Sequence, residues 1–149
     1  MSDYTIIDAN NLILGRMASV VAKRLLLGER ISIINAEKSV ISGKFKQLIK
    51  AYKKRLEIHT FTNPLRGPFH PRRPDRLVRK TIRGMLPWKK PRGRKAFHNL
   101  RVFIGVPEKY DNDNIQTETI EDASLSRLKE KYITVARLTH YIGEIETQL

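Results

Sequence analysis

Two short apolar runs rich in β-branched residues, 4–8 (YTIID) and 31–35 (ISIIN), bracket a stretch of different period, and no other feature of the chain constrains its fold so tightly. Between them Leu14, Met17, Ala18, Val21, Ala22 and Leu25 fall at i, i+3, i+4, i+7, i+8 and i+11, with Arg16, Ser19 and Lys23 on another face. That spacing predicts an amphipathic helix of about three turns. Asn10 and Asn11 supply turn chemistry before it, and Gly28 a terminator after it. A strand, a helix and a strand joined by short connections make a βαβ unit, which implies parallel pairing and a right-handed crossover. The fold class is α/β.

The period near 3.6 returns twice. Ser42-Gly43-Lys44 opens a second helix whose apolar stripe is Phe45, Leu48, Ile49, Tyr52 and Leu56. Burying that stripe turns Lys46, Lys50, Lys53 and Lys54 outward, with Lys44 at the helix start. They read either as a solvated face or as a secondary surface for phosphates. Residues 60–74 then hold four of the seven prolines (64, 68, 71, 74) and Gly67. Proline has no amide donor and a fixed φ, so this segment is expected to run as an extended arm. Asp75 is placed to cap the next helix, with Leu77, Val78, Ile82, Met85 and Leu86 on one face and Arg76, Arg79, Lys80 and Arg83 on the other. Pro87 ends it. A loop over 88–95, a helical turn over 96–99 and a strand over 100–104 follow, stopped by Gly105 and Pro107.

Residues 108–122 are acidic and polar without an apolar period and read as a loose surface connection. Beyond them the pattern predicts one or two helical turns over 124–131, an edge strand over 132–135, and a last helix over 136–142 ended by Gly143. No internal repeat is visible.

Charge is distributed unevenly. Residues 66–101 hold thirteen Lys or Arg against one acid, Asp75, a net +12 in a chain whose total is +14. Residues 1–43 carry +1, 44–65 carry +5 and 102–149 carry −4. Such a block repels itself unless a polyanion lies alongside, and nucleic acid is the polyanion with regularly spaced charge. A membrane surface would want an amphipathic helix with a bulky apolar face left exposed, which the proline-rich parts cannot form. At 149 residues, 40% hydrophobic and 30% charged, the chain is expected to be one domain with its own core. Its basic RNA-binding segment spans 62–101 and a mildly acidic segment 108–149. No apolar run approaches the roughly 18 residues of a membrane span, and the first residues lack a signal-peptide pattern. A cytoplasmic location is the expectation.

Catalytic and cofactor signatures fail on inspection. The Ser-Gly-Lys at 42–44 lacks the earlier glycine of a phosphate loop, since position 38 is Lys, and Gly15 stands without the partner glycines of a dinucleotide fingerprint. With no cysteine and four scattered histidines (59, 70, 98, 140), neither a disulfide nor a metal shell is indicated. His70 and His98 are the imidazoles a ribonuclease would need, yet no paired acid or nucleophile accompanies them. Stacking on RNA, hydrogen bonding to it or simple exposure is the plainer role. Asp8 closes a strand at its carboxyl end, where α/β sheets place active sites, but turn capping suits it better. Trp88, the one tryptophan, either stacks on a base or plugs the core beneath its loop.

The cations lie on proline-stiffened backbone that matches no helix-turn-helix, zinc finger or basic zipper. Arg outnumbers Lys nine to four within 66–101. Guanidinium forks to phosphates and stacks on bases, which fits structured RNA better than loose charge neutralisation. The candidate contacts are Arg66, His70, Arg72, Arg73, Arg76, Arg79, Lys80, Arg83, Trp88, Lys89, Lys90, Arg92, Arg94 and Lys95.

Several of these residues sit in stretches with a wider likeness. NLILGRMAS (11–19), IINAEKSVISGK (33–44), IRGMLPWKKPRGRKAF (82–97) and LRVFIGVPE (100–108) resemble the L-thirteen family of large-subunit ribosomal proteins. The likeness covers 1 to about 110 and is most specific at 82–108. TNPLRGPFHPRRPDR (62–76) is similar to the archaeal and eukaryotic branch, and the short tail to the archaeal one. The resemblance implies a layered α/β/α fold with a four-stranded, mostly parallel sheet. It also implies contact with large-subunit ribosomal RNA and neighbouring ribosomal proteins, an early role in assembling that subunit, no cofactor and no catalysis. By position it carries an RNA-facing role to Arg83, Gly84 and Met85 and on through Arg92, Gly93, Arg94 and Lys95. Gly84 and Gly93 would then let the backbone approach RNA closely, unless they merely end helices. The segment after Pro107 matches the family poorly. An RNA-processing enzyme using His70 or His98, or an RNA-binding regulator outside the ribosome, are the rival readings.

Overall fold

The structure, a computed structural model, describes residues 4–110 and 116–143. The βαβ unit is present: β1 (Thr5–Asp8), α1 (Leu14–Leu26) and β2 (Ile31–Ile34), with Thr5 opposite Ile31 and Asp8 opposite Ile34 in parallel register. Leu27 closes α1, and Gly28 turns the chain with φ +100, a left-handed conformation that side chains disfavour. After β2 come β3 (Val40–Ser42), α2 (Phe45–Glu57), α3 (Pro74–Met85), α4 (Pro91–His98), β4 (Leu100–Val102), β5 (Thr117–Glu118), β6 (Tyr132–Thr134) and α5 (Val135–Gly143).

The main sheet has the order β4-β2-β1-β5 with every pairing parallel, a stricter arrangement than the mostly parallel one expected. With helices α1 to α5 it forms a three-layer α/β/α architecture. A separate antiparallel ribbon pairs β3 with β6, Val40 opposite Thr134. Parallel sheets are covered on both faces, and β2 shows it: all four of its residues are buried. The one polar member, Ser32, shares a 3.0 Å hydrogen bond with the Tyr110 hydroxyl. The core joins Ile7, Ile31 and Ile33 of the sheet to Met17, Val21 and Leu25 of α1, Val78 and Ile82 of α3, and Leu138 and Ile142 of α5. α1 packs against both α3 and α4, so the two cationic helices are anchored through their apolar faces.

Four expectations are corrected, and one element was not foreseen. Asp75 does not cap α3; Pro74 is its first residue, where the missing amide costs nothing, and Asp75 sits within the first turn. Residues 88–95 are not a loop throughout, because Pro91 starts α4 by the same device and places Arg92, Arg94 and Lys95 on a helix. Residues 60–74 do not run extended throughout; Pro64–Arg66 form a 3-10 turn, and Gly67 folds back with its Cα region against the Thr60 amide. Residues 108–122 are more ordered than a loose connection: Thr117–Glu118 add an edge strand to β1, and 3-10 turns occupy Glu108–Tyr110 and Glu121–Ala123. Residues 111–115 of that connection lie outside the described residues. Finally, β3 went unread, because three residues with one exposed side chain carry no period of their own.

Candidate nucleic-acid interface

α3 is built on the binary pattern. Leu77, Val78 and Ile82 are buried beside Leu86, while Arg76, Arg79, Lys80 and Arg83 are exposed on the opposite face. Proline at its first position fixes the entering φ, and Asp75 in the first turn complements the helix dipole while pairing with Arg73 at 3.3 Å. The helix therefore turns a row of cations to solvent.

What holds those cations in place is mostly neutral. The Arg83 guanidinium lies 4.1 Å from the centroid of the Trp88 ring and that of Arg79 lies 4.7 Å from the Phe97 ring. The two rings meet edge to face, 5.1 Å apart at 89°. Lys80 Nζ donates to the Phe69 carbonyl at 3.2 Å, Arg94 Nε to the Trp88 carbonyl at 3.2 Å, and Arg101 sits 4.8 Å over the Tyr4 ring. Ring faces and carbonyl oxygens orient a cation without cancelling its charge, each exposed cation–π contact being worth about 0.5–1 kcal/mol. Two arginines outside the block are held by carboxylates instead. Arg24 meets Glu29 and Glu118, both at 2.7 Å, and Arg127 meets Asp122 at 2.9 Å. Hydrogen bonding to Glu118 foremost, opposed by burial, and then to Glu29 raises the pKa of Arg24. Arg72, inside the basic block, has a partner within the protein.

A groove of about 400 Å³ brings together Arg76, Arg79, Lys80, Arg83, Trp88 and His70 of the predicted set, with Phe69, Pro71 and Phe97 completing its walls. Lys89, Lys90, Arg92, Arg94 and Lys95 are exposed but do not line it. Arg66 sits apart on the 3-10 turn, and Arg73 precedes α3. Trp88 is half-buried; it packs edge to face on Phe97 of α4 and presents its ring to Arg83 of α3. The glycines differ. Gly84 is exposed with open space around its Cα, whereas Gly93 is buried and its missing side chain makes room for Pro87 of this protein rather than for RNA.

On α2 the apolar stripe is only half-buried, and Lys46, Lys50, Lys53 and Lys54 rim a second groove of about 570 Å³ with Phe45, Ile49 and Tyr141. Lys44 precedes the helix, exposed. Asp8 caps its turn: its Oδ1 accepts from the Asn10 amide and from Asn35 Nδ2, both at 3.0 Å. His98 is exposed at the end of α4. His70 is different, with Nε2 buried and without a hydrogen-bond partner among the described residues. Burial foremost, then the charges of Lys80 and Arg55, lowers its pKa below 6.5. Among the described residues no cluster of His, Asp or Glu gathers to hold a metal, and no helix is long and apolar enough to cross a membrane.

Sequence reasoning passed over Phe69, Phe97 and Arg55. Phe97 carried a signal, since with Gly93 and Ala96 it marks the inward face of a helix starting at Pro91. Phe69 is 73% exposed and lies between prolines in irregular chain, where no period exists to single it out.

Comparison with known proteins identifies the family. Residues 2–109 match the family described as Ribosomal protein L13. The large ribosomal subunit protein uL13 of Methanopyrus kandleri is 46% identical over 142 residues, covering 95% of this chain and 87% of the relative. Those of Archaeoglobus fulgidus (47% over 143 residues, 95% and 88%) and Methanocaldococcus jannaschii (47% over 140 residues, 93% and 97%) are equally similar. On the family match over residues 2–109 and the identity to these relatives, this chain belongs to the L13 family of ribosomal proteins.

Proposed function

We propose that the protein is a structural constituent of the large ribosomal subunit in the cytoplasm, where it binds large-subunit ribosomal RNA and supports early assembly of the subunit beside neighbouring ribosomal proteins. It works as one domain, residues 62–101 forming the RNA-binding segment, and it catalyses no reaction. The cations on α3 and α4, with Arg66, Arg72 and Arg73 ahead of them, meet phosphates; the lysines of α2 form a secondary contact surface.

The observation that carries this reading is the neutral tethering of Arg79, Lys80, Arg83, Arg94 and Arg101. Side chains ordered by rings and carbonyls keep full charge for an external anion and have less rotamer freedom to lose on binding. The exposed cations and the buried apolar faces beneath them make a surface that positions RNA without reading sequence.

Affinity for deproteinised large-subunit ribosomal RNA, measured against salt, tests the reading. Each neutralised phosphate contributes about −0.7 to −0.9 to the slope of log K against log salt, so a slope of several units is expected. A flat dependence overturns it.

A further inference from the structure

Resting on that reading, we propose that the cleft between α2, α3 and residues 70–71 is a receptor for one backbone phosphate of RNA, held between the His70 imidazole and the side chains of Arg55 and Lys80. The cleft encloses about 220 Å³, with Tyr52, Leu77 and Ile142 among its other walls. It is distinct from the arginine-lined groove, with which it shares His70, Pro71 and Lys80 as a dividing ridge.

Three observations converge. His70 Nε2 is buried without a hydrogen-bond partner among the described residues, and a buried polar atom of this kind calls for a ligand. The charged groups lining the cleft with it are both cations, Arg55 from α2 and Lys80 from α3, while α5 contributes the apolar Ile142. Neither cation is used up: Arg55 lies 5.1 Å from the Tyr52 ring centroid, which leaves its N–H edge free to donate, and Lys80 spends one of three protons on Phe69. A ligand suited to this lining brings negative charge and acceptor oxygens, and a phosphodiester brings both. The position fits a strand that continues into the arginine-lined groove, because the two share His70, Pro71 and Lys80.

In the free protein, burial and the two cations favour the neutral imidazole. A phosphate offsets those charges and offers an acceptor, so the imidazole takes up one proton from solvent as RNA binds, and each unit of pKa rise strengthens binding about tenfold at low pH.

Calorimetric titration of the full chain with large-subunit ribosomal RNA near pH 6.5, in buffers of different ionisation enthalpy, counts that proton. NMR titration of His70 follows it in the free protein and with inorganic phosphate alone. We expect proton uptake in the wild type and its loss in His70→Gln, with the melting temperature of each checked. Arg55→Gln is the second variant; it should raise the imidazole pKa in the free protein and weaken RNA binding. RNA binding with a steep salt slope but no proton uptake overturns the cleft and leaves the ribosomal reading standing, whereas no RNA binding at all overturns both. An imidazole that titrates at or above its ordinary value in the free protein also overturns the proposal, since the protein then fills the cleft itself. A rise with inorganic phosphate but none with RNA reassigns the cleft to free anions and overturns the RNA assignment.

Discussion

A Cβ built on Gly93 would stand 2.2 Å from the carbonyl oxygen of Pro87, so α4 can approach the end of α3 this closely only because position 93 is glycine. Gly93→Ala must push the two helices apart or strain their junction, at a cost of about 1–3 kcal/mol. Gly84, in the same basic stretch, has open space where a Cβ would stand and an ordinary helical conformation. Gly84→Ala should raise stability by roughly 0.5–1 kcal/mol through helix propensity. Urea unfolding of the two variants separates these outcomes. RNA affinity adds a second readout: a drop for Gly84→Ala alone would locate the close backbone approach at Gly84.

Arg83 over Trp88 makes a similar division between body and binding surface. Arg83→Gln should cost less than about 1 kcal/mol of stability, the value of one exposed cation–π contact. It should also remove about 0.7–0.9 from the salt slope of RNA binding. Trp88→Ala should cost more, about 2 kcal/mol, because the ring also packs on Phe97 and is half-buried. Tryptophan fluorescence, from the chain's single indole, should respond to added RNA if the ring lies at the contact.

The triple change Arg92→Gln, Arg94→Gln and Lys95→Gln tests α4 separately. All three side chains are exposed, while the buried face of the helix is formed by Gly93 and Ala96. The melting temperature should stay nearly constant and the salt slope should fall by about 2 units. A collapse of melting would mean that these residues build the fold instead.

His70 makes the stability of the free protein depend on pH. Burial and neighbouring cations lower its folded-state pKa beneath the ordinary 6.5. Above that value both folded and unfolded forms are neutral, and the contribution is fully present. As pH falls below it the unfolded chain takes the proton first, so stability declines through the window down to the folded-state pKa. Denaturant midpoints measured at several pH values between about 7.5 and 5 should fall for wild type relative to His70→Gln as the pH drops.

Much of this architecture was legible because period and composition decided it. Leu14 to Leu25 bury the six residues that the helical spacing selects, and Ile31, Ile33 and Ile34 are the apolar β2 run. The cationic face of α3 could be read for the same reason. What could not be read depends on tertiary partners. The run at 91–98 is so rich in charge that its helix is visible only from Pro91 and the spacing of Gly93, Ala96 and Phe97. Thr117 and Glu118 are both exposed, and they are a strand only because β1 offers them an edge. The neutral tethers of Arg79 and Arg83 join residues up to 18 positions apart, a distance that no local pattern spans.

Arg24 provides the means to test that edge strand. Its guanidinium reaches Glu29 beside its own helix and Glu118 on β5, each at 2.7 Å, so it ties a two-residue strand to the end of α1. The side chains are partly exposed, and each pair is therefore worth no more than about 0.2–1 kcal/mol. Two residues of ladder are a weak attachment by themselves, which makes the tie matter locally more than globally. Arg24→Gln should lower global stability by about 1 kcal/mol or less, while amide exchange at Thr117 and Glu118 accelerates far more than exchange at Ile31 to Ile34. Screening supplies a control, since added salt should bring the wild type toward the variant at β5 and leave β2 unchanged. Equal acceleration across both strands would show that β5 is held by the sheet itself and that the ion pairs are incidental.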